Sequence, residues 1–313
     1  MPRRSSPGSY SDSGAAHSSS FALMRETHAL PPGARAQTAR TLLSANGRPL
    51  LGFTQGKYRS YLHPVLTPRG FCATAEHPAD HPHHAGIWIA ADRVSWWPDK
   101  GPDEEHTYNF YVDDVFQGRA PGRIVSTGLR LAQKSRDAVQ VEQTCLWRGP
   151  SEWGARRGRA IAVERRIITV RPAERWNVVD IESMLAPRLG RLRIGPTRHA
   201  WFNVRLADAA QSPEARLAQS AHEPGRPPAW MDLSGPIGGG HRVGVALLQL
   251  SNADAADWFA ATWGIVTVQP FARKAREIPL GETLQLTARF VVHDGDIGRP
   301  ELDALAAPIP LHP

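Results

Sequence analysis

"TLLSANGRPLLGF", residues 41–53, places Asn46-Gly47 between two apolar runs. An Asn-Gly pair suits the two positive-φ positions of a type I′ turn, so this stretch predicts a β-hairpin. Other runs rich in β-branched and aromatic residues predict strands at 107–116, 122–133, 138–147, 160–170, 176–185, 241–250 and 283–294. In the last run, Leu284, Leu286 and Ala288 alternate with polar residues. That alternation is typical of a strand with one buried face and one solvated face.

The spacing of apolar residues argues against a fold that alternates strands with helices. Short helical turns are expected only near 211–221 and 253–260. With 313 residues, 41% of them hydrophobic, the chain can bury one large core. We therefore predict an all-β fold, a large antiparallel β-sandwich. The predicted organisation is a disordered Ser/Gly-rich tail over 1–38, one sandwich domain over 39–298 and a C-terminal tail over 299–313.

The charge of the chain bears on its partners. Lys and Arg number 37 against 30 Asp and Glu, which gives a formal charge of +7. The arginines are spread along the chain, and their densest run, "RRGRAIAVERR" (156–166), alternates like a strand and predicts a solvated sheet face. The sequence contains no zinc-finger, helix-turn-helix or RNP pattern. We therefore predict no nucleic-acid partner.

Cysteine usage and hydropathy indicate the compartment. Cys72 and Cys145 lie far apart and match neither a disulfide framework nor a zinc site, which favours a reducing environment. The chain has no apolar stretch of about 18 residues or more, so we predict no membrane span. Together these features predict a cytoplasmic protein.

"DHPHH", residues 80–84, brings three of the 13 histidines together beside Asp80. Pro82 cannot donate to a sheet ladder, so the cluster is expected at a strand entrance, edge or bulge. If the segment were extended, His81 and His83 would point to one face and Asp80 and His84 to the other.

Three uses of this cluster stay open at this point. His81 and His83 suit acid/base catalysis or binding of a polar substrate, with Asp80 orienting one of the rings. His-x-His also suits a divalent metal, but the glutamate that a cupin-like site needs does not follow until Glu104. The third use is purely structural, with the histidines bonding to the loop backbone. We predict no metal and no cofactor, and keep the metal site as the alternative.

Tryptophans near the cluster, or later in the chain, suggest the kind of substrate. Trp88 follows the histidines closely, and Trp201 and Trp263 come later. Most tryptophans pack in cores, but exposed indoles beside histidines bind the faces of pyranose rings.

Several blocks of sequence occur in an order that resembles the PmoA-like family over roughly residues 40–296. These blocks are "YLHPVLTPRG" (61–70), "HPADHPHHAGIWIA" (77–90), "GRIVSTG" (122–128), "AWMDLSGPIGG" (229–239), "WGIVTVQPFA" (263–272) and "GETLQLTARFVVHDG" (281–295). The resemblance implies a galactose-mutarotase-like supersandwich. Such folds handle carbohydrates with a histidine acid and a carboxylate base around a sugar ring. The methane oxygenase subunit behind the family's label is a membrane protein, and this chain lacks its spanning helices.

The chain departs from the family pattern at two places. Members often carry Thr-Lys-Glu-Gly where this chain has Thr197-Arg198-His199-Ala200, and Trp-His-x-Arg where it has residues 258–261. A base carried by that glutamate would be missing, and His199 stands in its position.

We therefore predict a carbohydrate-active protein that acts on a small-molecule sugar or glycoside by histidine acid/base chemistry. The reaction class stays open between a sugar epimerase or mutarotase-like isomerase and a glycoside-processing enzyme. The alternatives are a divalent-metal enzyme and a non-catalytic sugar-binding module. The candidate catalytic residues are Asp80, His81, His83, His84 and His199. The candidate substrate contacts are His63, Trp88, Arg198, Trp201 and Trp263.

Overall fold

A computed structural model of the protein describes residues 20–26, 39–101, 103–152, 155–207, 212–221, 226–249 and 256–306. The structure is 60% strand and 3% helix, which confirms the predicted all-β class. Over these described ranges, no helix has both the length and the apolar character needed to cross a membrane.

Within the described ranges, twenty-one strands and one helix follow one another along the chain. The first are β1 (Phe21–Arg25), β2 (Ala39–Ala45), β3 (Arg48–Gln55), β4 (Ser60–Val65), β5 (Ile87–Ala91), β6 (Val94–Pro98), β7 (His106–Asn109) and β8 (Ala120–Pro121). Next come β9 (Arg123–Lys134), β10 (Val139–Arg148), β11 (Ala160–Pro172), β12 (Trp176–Pro187), β13 (Gly190–Ile194), β14 (Ala200–Arg205) and β15 (Arg216–Gln219). The last within the described ranges are β16 (Trp230–Gly238), β17 (His241–Gln249), β18 (Asp257–Ala261), β19 (Ile265–Gln269), β20 (Arg276–Ile278), β21 (Leu284–Asp294) and α1 (Arg299–Leu305).

Two eight-stranded antiparallel sheets form a sandwich. The first has the order β1-β2-β3-β4-β5-β14-β19-β18, and the second has the order β15-β16-β17-β21-β12-β11-β10-β9. The sheets meet through side chains such as Phe202 and Phe290, whose ring centroids lie 6.5 Å apart. Gln143 Nε2 on β10 also donates to Ser60 Oγ on β4 at 2.9 Å. The predicted sandwich is therefore confirmed.

The hairpin at 41–53 forms as the sequence predicts. Strands β2 and β3 pair up to Ala45 opposite Arg48. Between them Asn46 has φ 50° and Gly47 has φ 77°. Both values are positive, as a type I′ turn requires.

A third sheet was not predicted. It has five strands in the order β20-β13-β6-β7-β8. Trp96 on β6 is buried and its Nε1 donates to Arg188 O at 3.1 Å. This sheet places the segment between β5 and β6, including Asp92, next to the segment before β14.

Residues 160–166 of the arginine-rich run form the start of β11, but not all of their charged side chains face solvent. Glu164 is fully buried and Arg166 is only 4% exposed, whereas Arg165 between them is exposed. Arg166 Nη2 donates to Glu164 Oε2 at 2.7 Å, and Trp147 Nε1 donates to the same oxygen at 2.8 Å. The prediction of a solvated face was wrong for this pair, because Glu164 and Arg166 lie on the same face of the strand and neutralise each other there, and Trp147, from another strand, supplies a further hydrogen bond.

The structure also differs from the predicted tails. Within 1–38, strand β1 pairs with β2 and buries Phe21 in the core. Within 299–313, helix α1 buries Leu302 against Trp230, and Trp230 Nε1 donates to Asp303 Oδ1 at 2.7 Å. Both segments are ordered by contacts that are distant in sequence. The rest of the predicted tails, 1–19, 27–38 and 307–313, lies outside the described residues.

Strands occupy part of each segment where a short helical turn was expected: β15 covers residues 216–219, after a turn at 213–214, and β18 covers residues 257–260. Strand β15 pairs with β16, and β18 pairs with β19. Both are edge strands, so the pairing of a neighbour decides their conformation more than their own weak apolar pattern does. Residues 211 and 253–255 lie outside the described ranges.

Candidate active site

A pocket of about 340 Å³ lies against β19 of the first sheet. Four segments that are far apart in sequence build it: the β4–β5 connection, the segment after β7, the segment before β14, and β18–β19. Its lining consists of His81, His83, His84, Tyr111, Val112, Phe116, Arg198, His199, Phe259, Trp263, Ile265, Thr267 and Gln269. Four of the five candidate catalytic residues, all of them histidines, thus line one cavity.

Residues 77–84, which we call the histidine loop, are not extended. The loop closes where His77 N donates to His84 O at 2.9 Å, and it turns tightly where His84 N donates to His81 O at 2.9 Å. As a result the three imidazoles meet: ring centroids are 4.8 Å apart for His81 and His84, and 4.5 Å apart for His83 and His84. The expectation that His84 would face away from His81 and His83 was wrong, because it assumed a strand.

Two contacts anchor the histidine loop to the sandwich, and a third closes the loop on itself. The fully buried Arg205 on β14 donates to both carboxylate oxygens of Asp80 at 2.7 Å. The buried Arg59 donates to the backbone carbonyl of His83. Within the loop, His77 Nδ1 donates to the carbonyl of Pro82 at 2.7 Å. These contacts fix the positions of the imidazoles.

The first carboxylate–imidazole pair joins Asp80 and His81. His81 Nδ1 lies 2.9 Å from Asp80 Oδ2, and the imidazole stacks on Trp263 with a centroid distance of 4.7 Å. Partial burial opposes ionisation of Asp80, but hydrogen bonds from Arg205 and His81 lower its pKa to about 2. An ionised Asp80 holds the proton of His81 on Nδ1 and leaves Nε2 for a ligand.

The second pair joins Asp92 and His199. His199 Nδ1 lies 3.2 Å from Asp92 Oδ2, and Thr197 and Arg119 also donate to this carboxylate. Asp92 is buried, which raises its pKa, but the hydrogen bonds from His199 and Thr197 and the charge of Arg119 outweigh burial and lower it below the usual value. His199 is therefore oriented in the same way as His81, by an ionised carboxylate at Nδ1.

His83 and His84 are neutral at pH 7, because their surroundings lower their pKa values. Burial, with the charge of Arg59, lowers the pKa of His83 to about 4. Burial, with the charge of His83, lowers the pKa of His84 to about 2. Among the described residues, nothing hydrogen-bonds to the buried His84 Nδ1, and the ring packs against Trp88 at 5.0 Å. A neutral imidazole can accept a proton or a hydrogen bond, but it cannot act as a general acid.

These shifted histidines make stability depend on pH. Burial lowers the pKa of His63 to about 4 as well, against an ordinary value of 6.5. The unfolded chain therefore binds more protons than the folded chain between those two values, so the free energy of unfolding should fall as the pH drops from about 6.5 toward 4. We expect His63→Gln and His83→Gln each to reduce the loss of unfolding free energy over this pH range. Urea unfolding at several pH values checks it, and a slope equal to that of the parent in both variants would contradict it.

Sequence reasoning missed Tyr111, which completes the pocket. Asn109 Oδ1 accepts hydrogen bonds from the backbone N–H groups of Tyr111 and Val112, which ends β7 and turns Tyr111 toward the histidines. The ring of Tyr111 lies 5.2 Å from that of His199. Burial raises the pKa of Tyr111 well above its usual range, so its hydroxyl stays protonated.

Asp92 and Arg205 were also missed, although Asp92 had a signal. It follows directly on the buried run "AGIWIA" and Ala91, at the end of a strand, where side chains often project into a site. Arg205 ends the apolar strand β14, and its sequence context gives no hint of its bond to Asp80.

The structure does not bring every predicted substrate contact to the pocket. Trp263 and the exposed Arg198 line it. Trp88 is buried beneath His84. Trp201 is fully buried and stacks on Trp147 at 5.3 Å, in the core between the sheets. His63 bonds to Thr74 Oγ1 at 3.0 Å, outside the pocket lining.

The geometry also bears on the metal alternative. Over the part of the chain that the structure describes, no group of three or more His, Cys, Asp or Glu side chains is arranged to hold a metal ion. The rings of His81 and His84 lie nearly parallel, with an interplanar angle of 9°. Stacked rings of this kind do not direct their nitrogen lone pairs at a common centre.

Comparison with known proteins gives one family and distant structural likenesses. The model of a family of unknown function, DUF6807, matches residues 40–307, and no curated protein matches. The PmoA-like resemblance is not part of that match and stays a prediction.

A galactose mutarotase-like protein from Lactobacillus casei ATCC 334 is similar with 9% identity and a TM-score of 0.35, over 88% of this chain and all of that one (100%). A GH36 alpha-galactosidase from Geobacillus stearothermophilus is similar with 12% identity and a TM-score of 0.37, over 88% of this chain and 41% of that one. Likenesses this weak carry no argument about activity.

Proposed function

Since the family match spans well over half of the chain, residues 40–307, the protein belongs to the family of unknown function DUF6807, and we propose that it is a carbohydrate-active enzyme working by acid/base catalysis. One observation carries the proposal. Two carboxylate-oriented imidazoles, His81 and His199, line the same pocket.

Two such pairs suit a reaction that removes one proton and supplies another. In each pair the carboxylate fixes the tautomer of the imidazole and stabilises the imidazolium once Nε2 has taken a proton. One imidazole acts as base and the other as acid. Isomerisation, epimerisation and glycoside cleavage all need this division of roles.

The proposal assigns His83 and His84 supporting roles. Because its pKa lies near 4, His83 is neutral and serves as a hydrogen-bond acceptor or donor to the substrate. His84 is buried behind His81 and holds its ring in place. Tyr111 lies beside His199, and because its hydroxyl donates to Asn203 Oδ1 at 3.3 Å, it serves the substrate as a hydrogen-bond acceptor.

The wall of the pocket favours a sugar as the substrate. Trp263 is half-buried, and Phe259, with 43% of its surface exposed, lies 6.1 Å from it. The same lining also carries polar groups, among them Tyr111, Arg198 and Gln269. A pyranose has the same division, with an apolar C–H face and hydroxyl groups around its edge. A volume of about 340 Å³ is near the lower end for small-molecule pockets and suits one sugar ring.

The test is a screen of monosaccharides and glycosides for binding, by calorimetry, and for turnover, by NMR. We expect Trp263→Ala to weaken binding of the recognised sugar by about 10-fold, because a stacked aromatic ring contributes about 0.5–1.5 kcal/mol beyond the area it buries. Phe259→Ala should have a smaller effect in the same direction.

Leu280→Ala is the matched control, because Leu280 is similarly exposed (48%) but lies outside the pocket. It should bind the sugar like the parent. Unchanged affinity in both aromatic variants would place the sugar elsewhere. Binding of a sugar without turnover of any compound in the screen would contradict the proposed enzyme activity and favour a sugar-binding module.

A further inference from the structure

A second, smaller pocket of about 250 Å³ adjoins the first. Its lining consists of Asp92, Arg93, Gln117, Arg119, Pro196, Thr197, Arg198 and His199. Arg198 and His199 belong to both pockets. The smaller pocket therefore opens beside the imidazole to which we assign proton transfer.

The smaller pocket carries an excess of positive charge. Three guanidinium groups line it, and Asp92 is the one carboxylate in its described lining. Asp92 already accepts hydrogen bonds from Thr197, His199 and Arg119. The carboxylate of Asp92 is therefore already paired within the protein, and Arg119 is its cationic partner.

Arg93 and Arg198 are the two remaining cations. Within the described ranges, neither guanidinium has a hydrogen bond or an ion pair to another side chain. Arg198 is exposed and Arg93 is half-buried. Arginine binds carboxylate and phosphate groups through two parallel N–H donors, and it does so best where part of its surface is already removed from water.

We propose that Arg93 and Arg198 bind an oxyanion carried by the substrate, so that the substrate is a sugar acid or a sugar phosphate rather than a neutral sugar. The inference rests on the proposed function for the sugar ring, but the anion site itself does not. With the ring on Trp263 in the larger pocket, the anionic group reaches past His199 into the smaller one. His199 then faces the part of the sugar between the ring and the anion.

The experiment measures binding of four probes at constant ionic strength: inorganic phosphate, a hexuronate, a hexose 6-phosphate and the corresponding neutral hexose. The parent should bind one of the two anionic sugars about 10- to 100-fold more tightly than the neutral hexose, since a hydrogen bond to a charged group contributes about 1.5–3 kcal/mol. Whichever anionic sugar binds more tightly identifies the oxyanion as carboxylate or phosphate.

Variants connect this preference to the pocket. Arg93 lines only the smaller pocket. Arg93→Ala should therefore weaken binding of the anionic sugar by about 10-fold and leave the affinity for the neutral hexose unchanged. Arg198→Lys keeps the charge but loses the two-point contact. It should weaken binding of the anionic sugar less than Arg198→Ala does. Arg136→Ala, on the exposed turn between β9 and β10, removes the same charge elsewhere and should match the parent.

Each outcome supports or overturns one of the two proposals. Equal affinity for neutral and anionic sugars, or equal weakening of both by Arg93→Ala, overturns the anion site and leaves the sugar proposal standing. Phosphate binding that is lost in Arg93→Ala and Arg198→Ala, without binding of any sugar, supports the anion site and overturns the proposed function. Absence of binding by all four probes overturns both.

Discussion

The variant His199→Ala is expected to turn over the recognised sugar about 10²–10⁴-fold more slowly than the parent, the usual cost of removing a general acid or base. Asp92→Asn should lose a similar factor. Its amide can present an N–H to His199 Nδ1, which favours the wrong tautomer without altering the shape of the site. Because the two residues act as one unit, the double variant should be no slower than His199→Ala alone.

Three measurements separate this role from a structural one. Binding of the sugar by Asp92→Asn should stay close to that of the parent, so the loss should appear in kcat rather than in KM. The pH dependence of kcat should also change in Asp92→Asn, because the variant presents the other tautomer of His199 to the substrate. His241→Ala is the control: His241, on β17, packs on Phe71 outside the pocket and should keep full activity. Retained turnover in His199→Ala would remove this residue from the mechanism.

The second large effect concerns stability. Arg166→Met is expected to lower the free energy of unfolding by about 3–5 kcal/mol, because it leaves the fully buried carboxylate of Glu164 without its counter-charge. The double variant Glu164→Leu/Arg166→Met removes both charges and should recover much of the loss. Recovery should be incomplete, because Trp147 Nε1 and Ser183 Oγ then lose their acceptor. Urea unfolding measures all three proteins.

Arg165 provides the matched control for this experiment. It neighbours Arg166 on the same strand but faces solvent, with half its side chain exposed (50%) and a 2.9 Å contact to Glu142. Exposed ion pairs contribute about 0–1 kcal/mol, so Arg165→Met should change stability by no more than that. If Arg166→Met proved as mild as Arg165→Met, the buried pair would have to be open to water.

The strands were predictable where the pattern that specifies them is local. Asn46-Gly47 fixes its hairpin within a few residues, and the alternation in β21 fixes its faces. The ordered segments at 21–25 and 299–305 were missed because Phe21 and Leu302 are buried by partners distant in sequence. The third sheet was missed for a related reason, since its strands are short and are joined only by tertiary pairing.

The candidate site was predictable in composition but not in shape. The density of histidines in "DHPHH" marks the segment, and the resemblance described in the sequence analysis drew attention to position 199. The conformation of the loop depends on Arg59 and Arg205, which no local pattern connects to it. Likewise the position of Asp92 directly after a strand marks it as a candidate, but its partner His199 is known only once the fold places the two side chains together.

The anchors of the histidine loop have a thermodynamic consequence for recognition. Asp80 and His83 are tied to the sandwich through Arg205 and Arg59, and Pro82 is tied to His77 within the loop, by bonds that need no ligand. The conformational entropy lost in ordering the imidazoles is therefore part of folding and not of binding. A substrate meets a preorganised surface, and its affinity is not reduced by the ordering of a loop. A fragment of the substrate should therefore bind in the same position and orientation as it has within the complete substrate.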